Sequence, residues 1–335
     1  MAGGSQSLGD RFDVAVIGAG AAGIGAARRL QAKRPDLSLV VLEAASRVGG
    51  RAWTITPKIL QGGALDLGCG WLHGARTNAW ALLARDLGLT VDETPAPWSE
   101  GGRDLDAGSE EEREVRRAMA AFFDRVEQRA ATGPDGPLSD LLEPGDPWNG
   151  RISAVATYIN GVEPEASSIL DLDRYDAGPG PDWRVREGLG CAIARYAAPL
   201  PVALETVVRA IDHRPRDHVA LATNRGRLTA RAVIVTVSTN MLAAESIRFD
   251  PPLPRKLEAA SKLPLGLANK AFLHVRDAHE LPIDTRTMGA VSRTAAGSYH
   301  LRPFGLPVIE AYFGGELARE LEREGGEAAL AFARE

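Results

Sequence analysis

The chain has 335 residues, 44% of them hydrophobic and 25% charged, with a net charge of −5. That composition is ordinary for a globular protein long enough for two domains, and the charge gives no footprint for nucleic acid or an anionic membrane surface. No apolar run approaches the ~20 residues of a membrane span, and Cys69 and Cys191 lack metal-ligand spacing, which fits a reducing, cytoplasmic setting.

Met1 to Ser7 has neither a basic region nor an apolar core and reads as part of a disordered lead-in over residues 1–10. An apolar strand, Phe12 to Ile17, then runs into Gly18-Ala19-Gly20-Ala21-Ala22-Gly23. In such a turn Gly18 permits the bend, Gly20 lets the backbone approach a pyrophosphate, and Gly23 allows close helix–strand packing. A helix from Ala21 to about Lys33 would point its unpaired N–H groups at the phosphates. Pro35 stops that helix, and Leu37 to Leu42 supplies the next buried strand. Glu43 follows Gly23 by the roughly 20 residues expected of the carboxylate that takes ribose hydroxyls, and an acid there argues against NADP.

A second glycine pair follows in Arg47-Val48-Gly49-Gly50-Arg51. It reads either as a second backbone approach with a phosphate-binding charge or as a surface turn. At these residues the chain resembles the flavin-containing amine oxidase family, in which a Gly-Gly-Arg segment shortly after the ribose glutamate contacts FAD. The resemblance therefore implies FAD.

Further along, Leu65-Asp66-Leu67-Gly68-Cys69-Gly70-Trp71-Leu72-His73-Gly74 precedes a helix expected from Asn78 to Leu87. Ser109-Glu110-Glu111-Glu112 is a capping box, after which Val115, Met119, Phe122 and Val126 mark one apolar helix face. Residues from Gly133 to Gly150 are rich in Pro, Gly and Asp and read as a loop. A short helix is expected to reach about Ala198, followed by β segments at Val202–Leu204, Val207–Ile211, Val219–Thr223 and Arg227–Ala230. The run Val233 to Val237 reads as a separate core strand of the parallel sheet.

The order of these segments is similar to the amine oxidase family from about residue 12 onward. The matches include Gly188-Leu189-Gly190, the Val207-Val208 strand whose backbone meets the adenine side in the family, and Val233 to Val237. Where the family usually has a proline after that last strand, this chain has Ser238-Thr239-Asn240. The implied fold is α/β: a Rossmann-like FAD-binding domain with a parallel sheet, from residues 11–75 and 186–262, beside an α+β substrate domain from 76–185 and 263–335. The residues expected to hold the cofactor are Gly18, Gly20, Ala22, Gly23, Glu43, Ala44, Arg47, Gly49, Gly50, Arg51, Gly68, Gly70, Trp71, Val207 and Val208.

Flavin-dependent amine oxidation leaves the hard step to the cofactor, so no catalytic triad or carboxylate pair is expected. Lys270 alternates with Phe272 and His274 on one face of an apolar strand; alone it could be an edge lysine in water. The family lysine at this place holds a water against flavin N5. His73 alone could be a packed neighbour of Trp71, whereas the segment Gly68 to Gly74 with Asn78 is similar to the polyamine oxidase subgroup, whose histidine lines the amine tunnel. His213, His218 and His279 stand in charged, turn-like contexts and read as solvated.

The stretch Glu310 to Ala318 still matches the family's substrate domain, and the resemblance implies roughly a hundred further residues, with a Gly-Glu flavin contact and amine-sandwiching aromatics, beyond Glu335. The expected activity is oxidation of a primary or secondary amine, a monoamine or a polyamine, with dioxygen as acceptor. The alternatives are a same-fold desaturase of a carotenoid or porphyrinogen, and a non-catalytic FAD-binding remnant.

Overall fold

The computed structural model describes residues 10–105, 108–289 and 295–334; most of the expected lead-in therefore lies outside the described residues. The first half runs β1 (Arg11–Ile17), α1 (Ala21–Lys33), β2 (Leu39–Leu42), β3 (Thr54–Ile55), β4 (Leu65–Asp66), β5 (Trp71–Leu72), α2 (Ala79–Asp86), β6 (Val91–Asp92), β7 (Arg103–Asp104), α3 (Glu110–Thr132), α4 (Asn149–Asn160) and α5 (Ile169–Asp173). The second continues with β8 (Trp183–Val185), α6 (Leu189–Ala197), β9 (Val202–Ala203), β10 (Val208–Asp212), β11 (Val219–Thr223), β12 (Gly226–Val235), α7 (Thr239–Ala243), β13 (Arg248–Asp250), α8 (Pro254–Ser261), β14 (Ala268–His274), β15 (Thr285–Met288), β16 (Ser298–Leu301), β17 (Val308–Gly314), α9 (Gly315–Glu324) and α10 (Gly326–Arg334).

A seven-stranded sheet in the order β13-β10-β11-β12-β1-β2-β9 forms the first layer. β1 is central and parallel to both neighbours, with Ala15 opposite Val40 on one side and Val233 on the other. Buried on both faces, it reads as the unbroken apolar run of its sequence. Helix α1 lays Gly23, Ile24 and Ala27 against the sheet, within a core that includes Val16 and Val41. Each fully buried aliphatic side chain there contributes about 1.5–3 kcal/mol.

The two strands expected at Arg227–Ala230 and Val233–Val237 are one ten-residue strand, β12. Its first half pairs antiparallel with β11 and its second half parallel with β1. Exposed Arg231 and Ala232 interrupt the apolar pattern without interrupting the backbone ladder. The parallel core thus carries an antiparallel β10-β11-β12 extension. Helix α4 likewise begins at Asn149, inside the segment read as a loop. There it packs with α3 and α5 around Phe122, Ile152 and Ile169, and Ser109 caps α3 by accepting from the Glu112 amide.

The second sheet, β14-β17-β16-β15-β7, has two unlike faces. Ala271, Ala311 and Phe313 lie in the apolar cluster formed with α9 and α10. The two-residue period places Lys270, Phe272, Glu310, His300 and Arg286 on the other face. Phe272 on that face meets Leu60 and Leu65, so the polar face is turned toward β4 and the residues after it. Among the described residues no helix is long and apolar enough to cross a membrane.

Candidate active site

The carboxyl ends of β2, β1 and β12 are level: the Gly18 amide donates to Leu42 O (2.8 Å) and the Thr236 amide to Ile17 O (2.9 Å). In an open α/β sheet this edge is where ligands bind. Gly18 has φ +102°, and a Cβ on Gly23 would sit 1.9 Å from Gly18 O, so the turn closes only with hydrogen at both positions. Gly20 caps α1 in an extended conformation with no side-chain cap, and no acid occupies the first turn. The positive end of the helix is thus left open to an anion.

The second glycine pair lies directly on the first. The Gly49 amide donates to Ala19 O (2.8 Å), and a Cβ on Gly50 would stand 3.1 Å from Gly20 Cα. Glu43 braces this double turn, accepting from the Ala19 amide through Oε2 (2.7 Å) and from the Ala45 amide through Oε1 (2.8 Å). Each carboxylate oxygen keeps a lone pair for a ribose hydroxyl. Ala22 and Ala44 are exposed beside it. Arg47 spends its donors inside the turn, on the carbonyls of Val48, Gly50 and Ala52, and stacks on Trp53. Arg51 is exposed; its carbonyl accepts from the Cys69 amide, and a Cβ on Gly68 would strike it at 1.8 Å. Gly70 passes less closely by the Asp66 side chain, with a Cβ there 3.0 Å from Oδ2. At the far end of the sheet Val207 is exposed; its amide donates to Asn224 Oδ1 and its carbonyl accepts from the Asn224 amide, while Val208 is buried in β10.

These features fit FAD: an uncapped helix end for the pyrophosphate, two glycine turns with no room for side chains, and a carboxylate for the ribose.

Lys270 stands about midway along β14. Its Nζ lies 2.9 Å from Glu310 Oε1 and donates to Asp66 O (3.3 Å), with only 11% of the side chain exposed. Water therefore does not solvate it as it would an edge lysine. A cavity of about 30 Å³, the size of a single water, has Asp66, Gly70, Trp71, Lys270, His300 and Glu310 among its lining residues, together with Arg184 and Phe304. Burial pushes the Asp66 carboxyl up, only partly offset by hydrogen bonds from Thr54 and the Leu189 amide.

His73 is set apart from that cavity. Its Nδ1 is 3.0 Å from Asp182 Oδ1 and its side chain is 44% exposed. Trp98 donates from Nε1 to the other Asp182 oxygen (3.0 Å) and packs edge-on against Trp71 at 4.5 Å, and Trp71 in turn lines the cavity with Lys270. The Asn78 side chain donates to His73 O, which fixes the histidine backbone, and also caps α2.

Sequence reasoning passed over Glu310, His300, Arg184 and Asp284. Arg184 is buried, with Nη1 2.9 Å from Asp284 Oδ1 and its guanidinium stacked on Trp71 and Phe304. His300 Nε2 reaches the same Asp284 oxygen at 3.1 Å. Arg184 on β8 lies 100 positions before Asp284 in the turn before β15, and Asp284 lies 16 before His300 on β16; the local signal was the alternation of His300 with apolar neighbours. The departure at Ser238-Thr239-Asn240 is tied to the segment before β14: Thr239 Oγ1 donates to Leu263 O, and Asn240 Oδ1 accepts from the Leu265 amide.

The sequence profile of the family "Flavin containing amine oxidoreductase" matches residues 21–153 and 146–331. The chain is 28% identical to Polyamine oxidase 3 of Oryza sativa subsp. japonica, over 95% of this chain and 71% of that protein. It is 28% identical to Polyamine oxidase 2 of Arabidopsis thaliana, over 96% of this chain and 70% of that protein. A solved structure of a putrescine oxidase double mutant superposes with a TM-score of 0.72 at 22% identity, covering 96% of this chain and 80% of that one. The cyclohexylamine oxidase of Brevibacterium oxydans superposes at 0.66 with 20% identity and shares the fold. The chain belongs to the flavin-containing amine oxidoreductase family and is an FAD-dependent oxidoreductase.

Proposed function

We propose that the protein oxidises a primary or secondary amine to an imine with dioxygen as electron acceptor, releasing hydrogen peroxide. The observation that carries this reading is the Lys270–Glu310 pair, held nearly dry on the wall of a water-sized cavity beside Trp71. FAD, when bound, supplies the two-electron acceptor for a hydride from the carbon next to nitrogen and returns those electrons to dioxygen.

In this reading the double turn at Gly18, Gly20, Gly23, Gly49 and Gly50 takes the pyrophosphate, and Glu43 takes the ribose. Ala22, Ala44, Arg47 and Arg51 border that site, and Gly68 and Gly70 let the chain pass close to the cofactor. Val207 and Val208 form the adenine edge. Lys270 holds a water in the cavity, with Glu310 and the Asp66 carbonyl fixing the ammonium head. Trp71 forms the aromatic wall, and His73 with Asp182 orients the incoming ammonium group at the rim. Residues 11–75 and 186–262 form the FAD domain and 76–185 with 263–335 the substrate domain, which is supported by how the strands divide between the two large sheets.

The test is purification followed by an absorbance spectrum and a peroxide assay with spermine, tyramine and L-amino acids. Flavin absorbance near ~450 nm with peroxide release from an amine is the expected result. A protein that reconstitutes with FAD and yields peroxide from none of them overturns the reading.

A further inference from the structure

The polar face of the second sheet carries a row of charged groups that crosses every strand except the first at one level. Glu310 on β17 is in register with His300 on β16, His300 with Arg286 on β15, and Arg286 with Asp104 on β7. Residues in direct register have Cβ atoms roughly 4.5–5.5 Å apart. Lys270 joins the row diagonally through Glu310, and Arg286 is bound by Asp104, so both ends are internally paired. His300, in the middle, lines the cavity with Lys270.

Among the described residues the polar contact on the His300 ring is made at Nε2, and Trp71 packs against the ring at 6.1 Å. Nε2 lies 3.1 Å from Asp284 Oδ1, while Arg184 and the Phe304 amide hold the same oxygen. Burial alone would raise the Asp284 carboxyl, but the bonds from His300 and Arg184 and the Arg184 charge outweigh it and hold the group well below the usual carboxylate range. An ionised carboxylate accepts only, so the proton of neutral His300 sits on Nε2 and Nδ1 is left as an acceptor. Protonation at Nδ1 would give an imidazolium whose counter-ion is already in place, the carboxylate–histidine arrangement used to orient a general base.

We propose that His300 is the proton acceptor for the substrate ammonium group. An amine near neutral pH arrives as R–CH2–NH3+, and its nitrogen must regain a lone pair before the neighbouring carbon can give up hydride. In this step an N–H bond of the ammonium breaks, an Nδ1–H bond forms on His300, and the electron pair stays on the amine nitrogen. No oxidant takes part. Asp284 faces the new positive charge and shares its own charge between His300 and Arg184. Of the other charged groups facing the ring, Arg184 is bound to the same Asp284 oxygen, Arg286 is paired with Asp104 and Lys270 with Glu310, while Asp66 is pushed toward its neutral form by burial. His73 is also paired with an aspartate, but it lies outside the cavity in contact with water.

The proposal rests on the amine oxidase reading, and one experiment separates the two. The flavin-loaded protein is mixed anaerobically with benzylamine or spermine, and flavin reduction is followed from pH 6 to 10 (~, the range over which amine and imidazole titrate) in wild type, His300→Gln and His73→Gln. The expected result is a wild-type rate that rises with pH along a limb which His300→Gln displaces upward by about one unit or more, with a fall of ~100-fold at neutral pH; His73→Gln keeps the limb in place. Displacement of the limb by His73→Gln alone, or an unmoved limb in His300→Gln, overturns the proposal. No reduction of wild type by any amine overturns the function reading and this proposal together. The ring proton resonances of His300 in the wild-type protein give a second readout independent of turnover and of whether the variant folds: titration across the same pH limb supports the assignment, and a ring that never changes protonation state overturns it.

Discussion

Lys270 and Glu310 stand diagonally across neighbouring strands, Nζ 2.9 Å from Oε1, with 11% and 16% of their side chains exposed. In that setting the two residues form a unit: each charge is tolerable only because the other is there.

Removing one partner therefore leaves an uncompensated buried charge. Lys270→Met and Glu310→Gln should each lose ~3 kcal/mol, and the double variant should recover at least ~1 kcal/mol of the summed loss. Urea unfolding of the four proteins measures this, and strictly additive losses would show that the pair is not coupled.

Lys270→Met should also slow flavin reoxidation by dioxygen by at least ~10-fold, because a methionine cannot hold a water in the cavity. Stopped-flow mixing of reduced protein with oxygenated buffer reads the rate. Unchanged reduction and reoxidation would remove Lys270 from the chemistry.

Gly23→Ala places a methyl group 1.9 Å from Gly18 O, and Gly50→Ala places one 3.1 Å from Gly20 Cα where φ is +58°. Both should purify with less than about a tenth of the wild-type flavin content, the first also with lower thermal stability since it splits α1 from β1. Full flavin occupancy in Gly50→Ala would mean that the two turns do not form one site.

Stability should fall in acid through Asp284. Its folded carboxyl titrates below the unfolded value of about 3.9, so the unfolded chain binds the proton first as pH falls. The contribution is complete above the unfolded value and is lost as pH drops through it toward the folded one. Melting curves from pH 3 to 7 (~, a window spanning the carboxylate range) should show wild type losing stability below about pH 5. Asp284→Asn should be less stable at pH 7, with Arg184 unpaired, and flatter in acid. An acid slope equal to that of wild type would argue against this linkage.

At the rim, Asp182→Asn should raise KM for amines by ~10-fold and leave the melting temperature within a few degrees, since His73 is partly in water. An alanine at His73 with unaltered kcat/KM for every active amine would return that residue to packing.

The double glycine turn, the capped α3 and the strand bearing Lys270 were legible in the sequence because each rests on local chemistry: a positive φ at Gly18, a side-chain cap at Ser109, a two-residue alternation across Ala268–His274. The continuity of β12 was not, because Arg231 and Ala232 break the apolar pattern while the hydrogen-bond ladder continues past them. Nor was the setting of Lys270. Its dryness depends on Glu310, forty positions on, and on the Asp66 carbonyl, 204 positions back. Arg184, Asp284 and His300 meet only because β8, the turn before β15 and β16 are brought together by packing. Backbone preference and periodicity act over a few residues, so the sequence alone determined the glycine turn and the locally patterned elements; register and sheet packing act across the chain, so only the tertiary structure decided how far β12 runs, which charges are buried together and which histidine lines the cavity with the lysine.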